Sequence, residues 1–187
     1  MINIGYLGPK GTYCEQATDV FVERLGLKVK KVTLPPGIPG MFLELDSGKV
    51  QAIVVPLINS IYGPYVETVK GLGRFPLVQK GSLDLKIDLA IGIHPESCLE
   101  DITEVRSRDT ALGECAQYLD KNFSSTRRVK IGSTAQGMKE IHDNKLMHVA
   151  AVGGEYGLQL YGLKVIARNI EDRRDNFTTF LYLCKKE

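Results

Sequence analysis

The sequence predicts an α/β fold built in two lobes, and three observations predict it. Strand-like and helix-like apolar patterns alternate along all 187 residues, the mark of an α/β chain. The run Ala52-Ile53-Val54-Val55-Pro56 is short and wholly apolar, as a buried parallel strand is. Residues 83–94 place Leu85, Ile87, Leu89, Ile91 and Ile93 at every second position, which reads as one long strand with a wet face. That strand is read as the passage between lobes. One lobe is then expected over 1–80 plus 173–187, and the other over 81–172. No internal repeat or low-complexity segment interrupts the pattern.

The elements follow in order. Residues 2–7 form a first strand, stopped by Gly8-Pro9. Thr12 caps a helix over 13–25, with Glu15 three residues on completing a capping box. Ala17, Val20, Phe21 and Leu25 share one face of that helix. A strand covers 28–34. Pro35-Pro36-Gly37-Ile38-Pro39-Gly40 is a loop by composition. Helices are expected over 41–47, stopped near Gly48, and over 65–71. After the long strand, 110–121 is helical, carrying Ala111, Leu112, Cys115 and Leu119 on one side. A strand at 127–131 leads to Ser133, which caps a helix ending at Asn144. Residues 149–152 are a buried strand, 155–161 a helix ended by Gly162, and 164–167 and 178–183 the last strands. The sheets are expected to be largely parallel.

Composition narrows the class of function. Apolar residues make up 43% and charged residues 25%, with a net charge of +2. That balance gives no basic footprint for nucleic acid and no apolar run of membrane-spanning length. A modest positive balance is compatible with an anionic small molecule and does not require one. The N-terminus lacks a basic and then apolar leader, so a cytoplasmic location is expected. Cys14, Cys98, Cys115 and Cys184 form no C-x-x-C pair and read as reduced thiols with packing roles. His94, His142 and His148 are scattered and show no metal-ligand spacing, so no metal site is expected.

Five segments carry possible chemistry. Gly8-Pro9-Lys10-Gly11-Thr12 is a glycine-rich turn entering a helix. It either holds a carboxylate on backbone N–H groups or is a plain turn. Asn59 and Ser60 follow the buried strand, where α/β folds place ligand contacts; they either bind substrate or cap the next turn. Arg108 offers a cation beside Ala111 and Leu112, or is a surface arginine. Ser133 and Thr134 set two hydroxyls at a helix start, suited to capping and to an anion alike. In Asn176-Phe177-Thr178-Thr179-Phe180, Thr178 and Thr179 point to opposite faces of one strand, so only one of them should face a cleft, and Thr178 reads equally as an ordinary β-branched strand residue.

Taken together these segments resemble the catalytic domain of prephenate dehydratases, from Tyr6 to Phe180. Leu7-Gly8-Pro9-Lys10-Gly11-Thr12-Tyr13 is similar to the family's opening Leu-Gly-Pro-x-Gly-Thr-Phe. Asn176–Phe180 is similar to its closing Asn-x-Thr-Arg-Phe. Pro56 to Ser60 resembles Pro-x-Glu-Asn-Ser, residues 107–115 resemble Ser-His-Pro-Gln-Ala-Leu-x-Gln-Cys, and Ser133-Thr134 matches a Ser-Thr helix start. Three departures stand out: Ile58 replaces the acid, Thr179 replaces the arginine, and Arg108-Asp109-Thr110 replaces His-Pro-Gln. The family's regulatory ACT domain and its chorismate mutase have no counterpart in these 187 residues.

The resemblance implies a two-lobed fold of the type II periplasmic-binding-protein kind, with the active site in the interlobe cleft. It implies Thr178 as the catalytic hydroxyl. Gly11, Thr12, Asn59, Ser60, Arg108, Ala111, Leu112, Ser133, Thr134, Asn176 and Phe180 are implied as substrate-binding residues. The implied substrate is prephenate or a close analogue, without a metal or cofactor, and the implied assembly is a homodimer or higher homo-oligomer. With the acid and arginine gone, the leading expectation is a non-aromatising prephenate decarboxylase giving a dihydro-4-hydroxyphenylpyruvate, its ring proton coming from Tyr13, Tyr62 or His94. The alternatives are a prephenate dehydratase giving phenylpyruvate, and a non-catalytic binder of an aromatic or keto acid.

Overall fold

Alternation through residues 2–7 produces the first strand, β1 (Ile2–Leu7), which buries Ile4 and Tyr6 on one face. In the computed structural model, residues 2–26, 28–34 and 37–186 are described. Helix α1 (Tyr13–Arg24) begins on the Thr12 cap, whose hydroxyl accepts from Glu15 N–H at 3.3 Å. Ala17 and Phe21 pack inward, but Leu25 is 44% exposed because the helix stops one residue before it. After β2 (Val29–Leu34) comes α2 (Ile38–Asp46). The expected loop therefore gives way to helix at Ile38, since Pro39 sits in the first turn, where no N–H is needed. The Pro35-Pro36 part of that loop lies outside the described residues. β3 (Ala52–Asn59), β4 (Gly63–Pro64), α3 (Val66–Arg74) and β5 (Leu77–Lys86) follow.

The long strand expected over 83–94 is two strands in two sheets. β5 ends at Lys86, and β6 (Ala90–Ile93) belongs to the second sheet. The alternation ran on unbroken because Leu89, between them, is itself 2% exposed in the second core. The chain divides into Met1–Ile87 with Asp175–Glu187, and Asp88–Arg174.

In the second unit, β7 (Glu104–Ser107) was hidden from sequence reading by its charges. Glu104 is only 4% exposed and is held by Arg106 and Arg127. The single helix expected over 110–121 is two, α4 (Asp109–Glu114) and α5 (Ala116–Asn122), broken at Cys115 where φ is −112° and ψ 19°. β8 (Arg127–Lys130), α6 (Thr134–Asn144), β9 (Val149–Gly153), α7 (Glu155–Leu160) and β10 (Lys164–Arg168) complete the unit. Strand order is β10-β6-β9-β7-β8, parallel among β9, β7 and β8 and antiparallel among β10, β6 and β9.

The last strand, β11 (Phe177–Lys185), returns to the first sheet. Order there is β2-β1-β3-β11-β5, with β4 beside β3. β2, β1 and β3 are parallel, whereas β11 runs antiparallel to both β3 and β5. Both sheets are thus mixed, not largely parallel, because each unit takes one or two strands from a reversed pass of the chain. Alternate residues of β11 feed two cores. Phe180 and Tyr182 join Tyr6, Ala17 and Phe21 on the α1 face, while Leu181 and Leu183 join Met41, Phe42 and Leu45 on the α2 face.

Burial pushes the Glu104 carboxyl up, but the Arg106 and Arg127 guanidiniums outweigh it and hold the group below its ordinary value of 4.5. A depressed folded-state pKa adds stability that is present above pH 4.5 and lost as pH falls through the folded value. The expected result is that Glu104→Gln weakens the protein at pH 7 and flattens its acid limb in urea melts between pH 7 and pH 3. An unchanged acid limb would show that Glu104 carries none of it. Among the described residues, no helix is long and apolar enough to cross a membrane.

Candidate active site

Thr178 sits on β11 opposite Asn59 at the end of β3. A register shift between Thr179 and Phe180 leaves Leu57 as the extra residue of β3, a bulge that sets this pairing. Thr178, Asn59 and Asn176 are 3%, 5% and 3% exposed, so their polar atoms need partners. They find them in each other. The Asn59 amide donates to Asn176 Oδ1 at 2.7 Å and to Thr178 Oγ1 at 2.9 Å. Its Oδ1 accepts from the backbone N–H groups of Ile61 and Tyr62 at 2.9 and 3.0 Å. Those two backbone donors fix which end of the amide is oxygen. Asn59 must therefore donate to Thr178, which leaves the Thr178 hydroxyl proton available to a third group.

Ser60 closes the same corner. Its hydroxyl donates to Asp175 C=O at 2.8 Å and accepts from Phe177 N–H at 2.9 Å, while its own N–H donates to Phe177 C=O at 2.8 Å. The structure uses Ser60 as a staple that holds β11 against the end of β3.

Thr179 lies on the other face of β11, in register with Ile58 on β3 and Asp84 on β5. Its hydroxyl donates to Asp84 Oδ1 at 2.6 Å. Two of the departures from the family motifs, at 58 and 179, are thus direct cross-strand partners. An acid at 58 and an arginine at 179 would face each other; here an isoleucine faces a threonine. Asp84 is a member of this row that sequence reading missed. Its only signal was its place one residue before Leu85 on an alternating strand.

The glycine-rich turn is already occupied by the protein's own carboxylate. Gly11, at φ 83°, donates its N–H to Glu15 Oε2 at 2.8 Å. Glu15 Oε1 also takes Tyr6 Oη at 3.1 Å and Lys31 Nζ at 3.0 Å. Thr12 Oγ1 donates to Leu7 C=O at 3.1 Å while capping α1. Gly11 N–H and the Thr12 hydroxyl, expected at the substrate, therefore shape the turn. Phe180, at 2% exposure, packs in the core of the first unit, and Ala111 and Leu112, at 4% and 5%, pack in that of the second. Their helix and strand spacing serves burial.

In the second unit the parallel strands β7, β8 and β9 bring three chain turns to one sheet edge. Arg108 follows β7 and is exposed; Ser133 and Thr134 follow β8. Gly153 ends β9, where a Cβ would lie 2.9 Å from Thr134 Cβ, so only glycine allows that helix start to close on the sheet. Sequence reading missed Gly153, although Gly153-Gly154 after a buried strand was the signal. Ser133 accepts from Gln136 N–H at 3.1 Å as an ordinary cap. The cysteine side chains offer no nucleophile in either core. Burial pushes the Cys14 thiol up to about 12, and burial with the acidic neighbours Glu114, Glu171 and Asp172 raises Cys115. No group of three or more His, Cys, Asp or Glu among the described residues is placed to hold a metal ion.

Two α/β units with mixed sheets, joined where the chain passes out at residue 87 and back at 175, define the type II periplasmic-binding-protein-like class. The methionine binding protein MetQ has the same fold, with a TM-score of 0.51 at 16% identity over 99% of this chain and 83% of that one. Residues 4–187 match the family model for prephenate dehydratase, and the chain belongs to that family. It is 30% identical over 186 residues to the bifunctional chorismate mutase/prephenate dehydratase of Stutzerimonas stutzeri, covering 100% of this chain and 49% of that one. The prephenate dehydratase of Arthrobacter aurescens, solved with L-Phe, superposes with a TM-score of 0.86 at 21% identity, over 100% of this chain and 61% of that one. The chain thus spans about half the length of the curated relative, 49%.

Proposed function

We propose that this chain is a lyase acting on prephenate, and that it decarboxylates prephenate without aromatising the ring. The observation that carries the proposal is the uncharged pair Ile58–Thr179, set directly opposite each other beside the Asn59–Thr178 cluster. Loss of carbon dioxide from prephenate breaks the bond between the ring and its carboxylate and leaves the electron pair on the ring. Two outcomes compete for that pair. It expels the ring hydroxyl as hydroxide, which gives an aromatic product, or it takes up a proton at a ring carbon, which gives the dihydro-4-hydroxyphenylpyruvate.

Hydroxide is a poor leaving group, so the first outcome needs strong assistance from a donor. Thr178 supplies a hydrogen bond and, with Asn59 donating to its oxygen, keeps a proton for that purpose. A neutral hydroxyl with no charged neighbours in its strand pair is a weak assistant. An ion pair across positions 58 and 179 would add a fixed field one residue along β11 from Thr178, and this chain has none across those two positions. The second reading, a working dehydratase, is favoured by the intact Asn59–Thr178 contact. Prephenate incubated with the purified chain, quenched in alkali and read in the ultraviolet, separates the two. Carbon dioxide release without an aromatic chromophore supports the decarboxylase. Phenylpyruvate would overturn it in favour of the dehydratase, and surviving prephenate would leave a binder of an aromatic or keto acid.

A companion experiment tests the pair itself. Thr179→Arg alone meets Asp84, which already accepts from position 179. Ile58→Glu alone adds an unpaired carboxylate to the row. Together the two should couple by about 0.5–1 kcal/mol in urea melts, as opposite charges across strands do. The double variant should also shift product toward phenylpyruvate. Additive stability effects with no shift in product would place the difference between branches elsewhere.

A further inference from the structure

The chain leaves the first unit after Ile87 and re-enters it at Asp175. The outgoing and returning passes are tied to each other at both ends. Within the first unit, Ile87 N–H donates to Asn176 C=O at 2.9 Å. Within the second, Leu89 is held by both of its backbone groups. Its C=O accepts from Ile170 N–H at 3.0 Å, and its N–H donates to Glu171 Oε2 at 2.9 Å. On the outgoing pass Asp88 therefore stands between two pinned neighbours. On the return, Asp172 is pinned as well: its N–H donates to Glu114 C=O at 2.6 Å, and its carboxylate accepts from Gln117 N–H at 3.2 Å.

Burial alone does not account for a carboxylate at position 171. Glu171 is 7% exposed, and among the described residues its buried Oε1 has no hydrogen-bond partner. A buried carboxylate with one oxygen unsatisfied is destabilising. A neutral amide would accept from Leu89 N–H at a smaller desolvation cost. What the charge adds is a shorter and stiffer bond, roughly twice as strong as a neutral one. The residue is better explained by what its one hydrogen bond fixes than by stability.

What it fixes leads to the Asn59–Thr178 cluster. Asn176 takes Ile87 N–H on its backbone and presents Oδ1 to the same Asn59 amide that donates to Thr178. Ser60 holds the residues on either side of Asn176, accepting from Phe177 N–H and donating to Asp175 C=O, so Ile87 is the support that bears on Asn176 itself. From Glu171 the series runs to Leu89, along two peptide bonds to Ile87, and by hydrogen bonds to Asn176, Asn59 and Thr178. We propose that Glu171 is a positioning residue for the reaction. By fixing Leu89 it sets the Ile87–Asn176 contact, and through that contact the orientation of the Asn59 amide and the Thr178 hydroxyl. The effect on turnover rests on the proposed function, which takes Thr178 as the reacting hydroxyl; the effect on the Asn59 amide does not.

The test is Glu171→Ala in the full chain, read by proton exchange at assigned amides and by steady-state kinetics with prephenate. Faster exchange at Leu89 N–H alone is what a purely structural role gives. Positioning requires more: Ile87 N–H and the side-chain amide protons of Asn59 should exchange at least about 10-fold faster, while Val54 N–H in the middle of β3 keeps its wild-type rate. The kcat should fall about 10-fold with KM within about twofold, because the orientation of the hydroxyl acts in the transition state and not in binding. Glu171→Gln keeps an acceptor for Leu89 and should recover most of both. Wild-type exchange at Ile87 and Asn59 overturns the proposal, and so does an unchanged kcat when those protons have sped up. If wild type itself leaves prephenate untouched, the lyase reading fails, and the exchange rates at Ile87 and Asn59 decide the positioning role alone. If Glu171→Ala fails to fold, Glu171→Met, which keeps the length of the side chain without the acceptor, takes the same measurements with the same outcomes.

Discussion

Thr178→Val lowers prephenate turnover by at least about 10²-fold while the protein stays folded. Valine keeps the branched shape that the strand accepts, so packing beside Leu85 and Phe180 survives. What it removes is the hydroxyl that accepts from Asn59 and, under the proposed function, holds a proton for the substrate. The stability cost is about 1 kcal/mol, since one of two Asn59 donor contacts is lost and Asn176 still takes the other. Steady-state kinetics and a urea melt check both halves. Turnover within a factor of a few of wild type would remove Thr178 from the reaction. Thr178→Ser adds a control: it restores the hydroxyl and should recover most of the rate.

The second large effect is at Asn59, where stability and turnover fall together. Asn59→Ala deletes four hydrogen bonds made by a side chain that is 5% exposed. It leaves the N–H groups of Ile61 and Tyr62 without that partner. The expected cost is about 2–4 kcal/mol, read as a lowered urea midpoint. Asn59→Asp separates the two roles. An aspartate still accepts from Ile61 and Tyr62, so the turn survives. It has no proton to give Thr178 and instead takes one from it, which reverses the polarity of that bond. Turnover should therefore fall about as far in Asn59→Asp as in Thr178→Val, with less loss of stability than in Asn59→Ala. If the aspartate variant turned over normally, the direction of the Asn59–Thr178 bond would be irrelevant to the reaction.

Much of this was legible in the sequence, and particular residues show why. Period-two and period-3.6 patterns located β1, α1 and α6, where burial favours one face, and short apolar runs located β3 and β9, which are buried on both faces. The Thr12 and Ser133 caps were visible because capping is local chemistry. β7 was not visible, because its buried Glu104 is compensated by Arg127, a residue of the neighbouring strand. The break between β5 and β6 was not visible, because Leu89 keeps the alternation running into a different core. Two site facts lay beyond any single segment. Glu15 fills the glycine-rich turn, which depends on the side chain one helical turn later folding back. The pairing of Ile58 with Thr179 depends on a bulge at Leu57 and joins positions 121 residues apart in sequence. Motif reading flagged both departures separately; only the register made them one feature.

The placement of β11 between β3 and β5 has a consequence for how the molecule is made. Every other strand of the first sheet lies within the first 87 residues, yet two of them meet only through a strand from the far end of the chain. The intervening unit, Asp88–Arg174, is continuous in sequence and holds its own core. On a ribosome it is fully synthesised before the strand that completes the first sheet has emerged. The order of assembly is therefore the reverse of the order of synthesis: the unit begun second is finished first. The Asn59–Thr178 contact, among the longest-range in the chain, forms last, as contacts of high sequence separation do. Under the proposed function, catalytic competence would double as a report of complete folding, since the Thr178 hydroxyl and the Asn59 amide meet only when the final strand is seated.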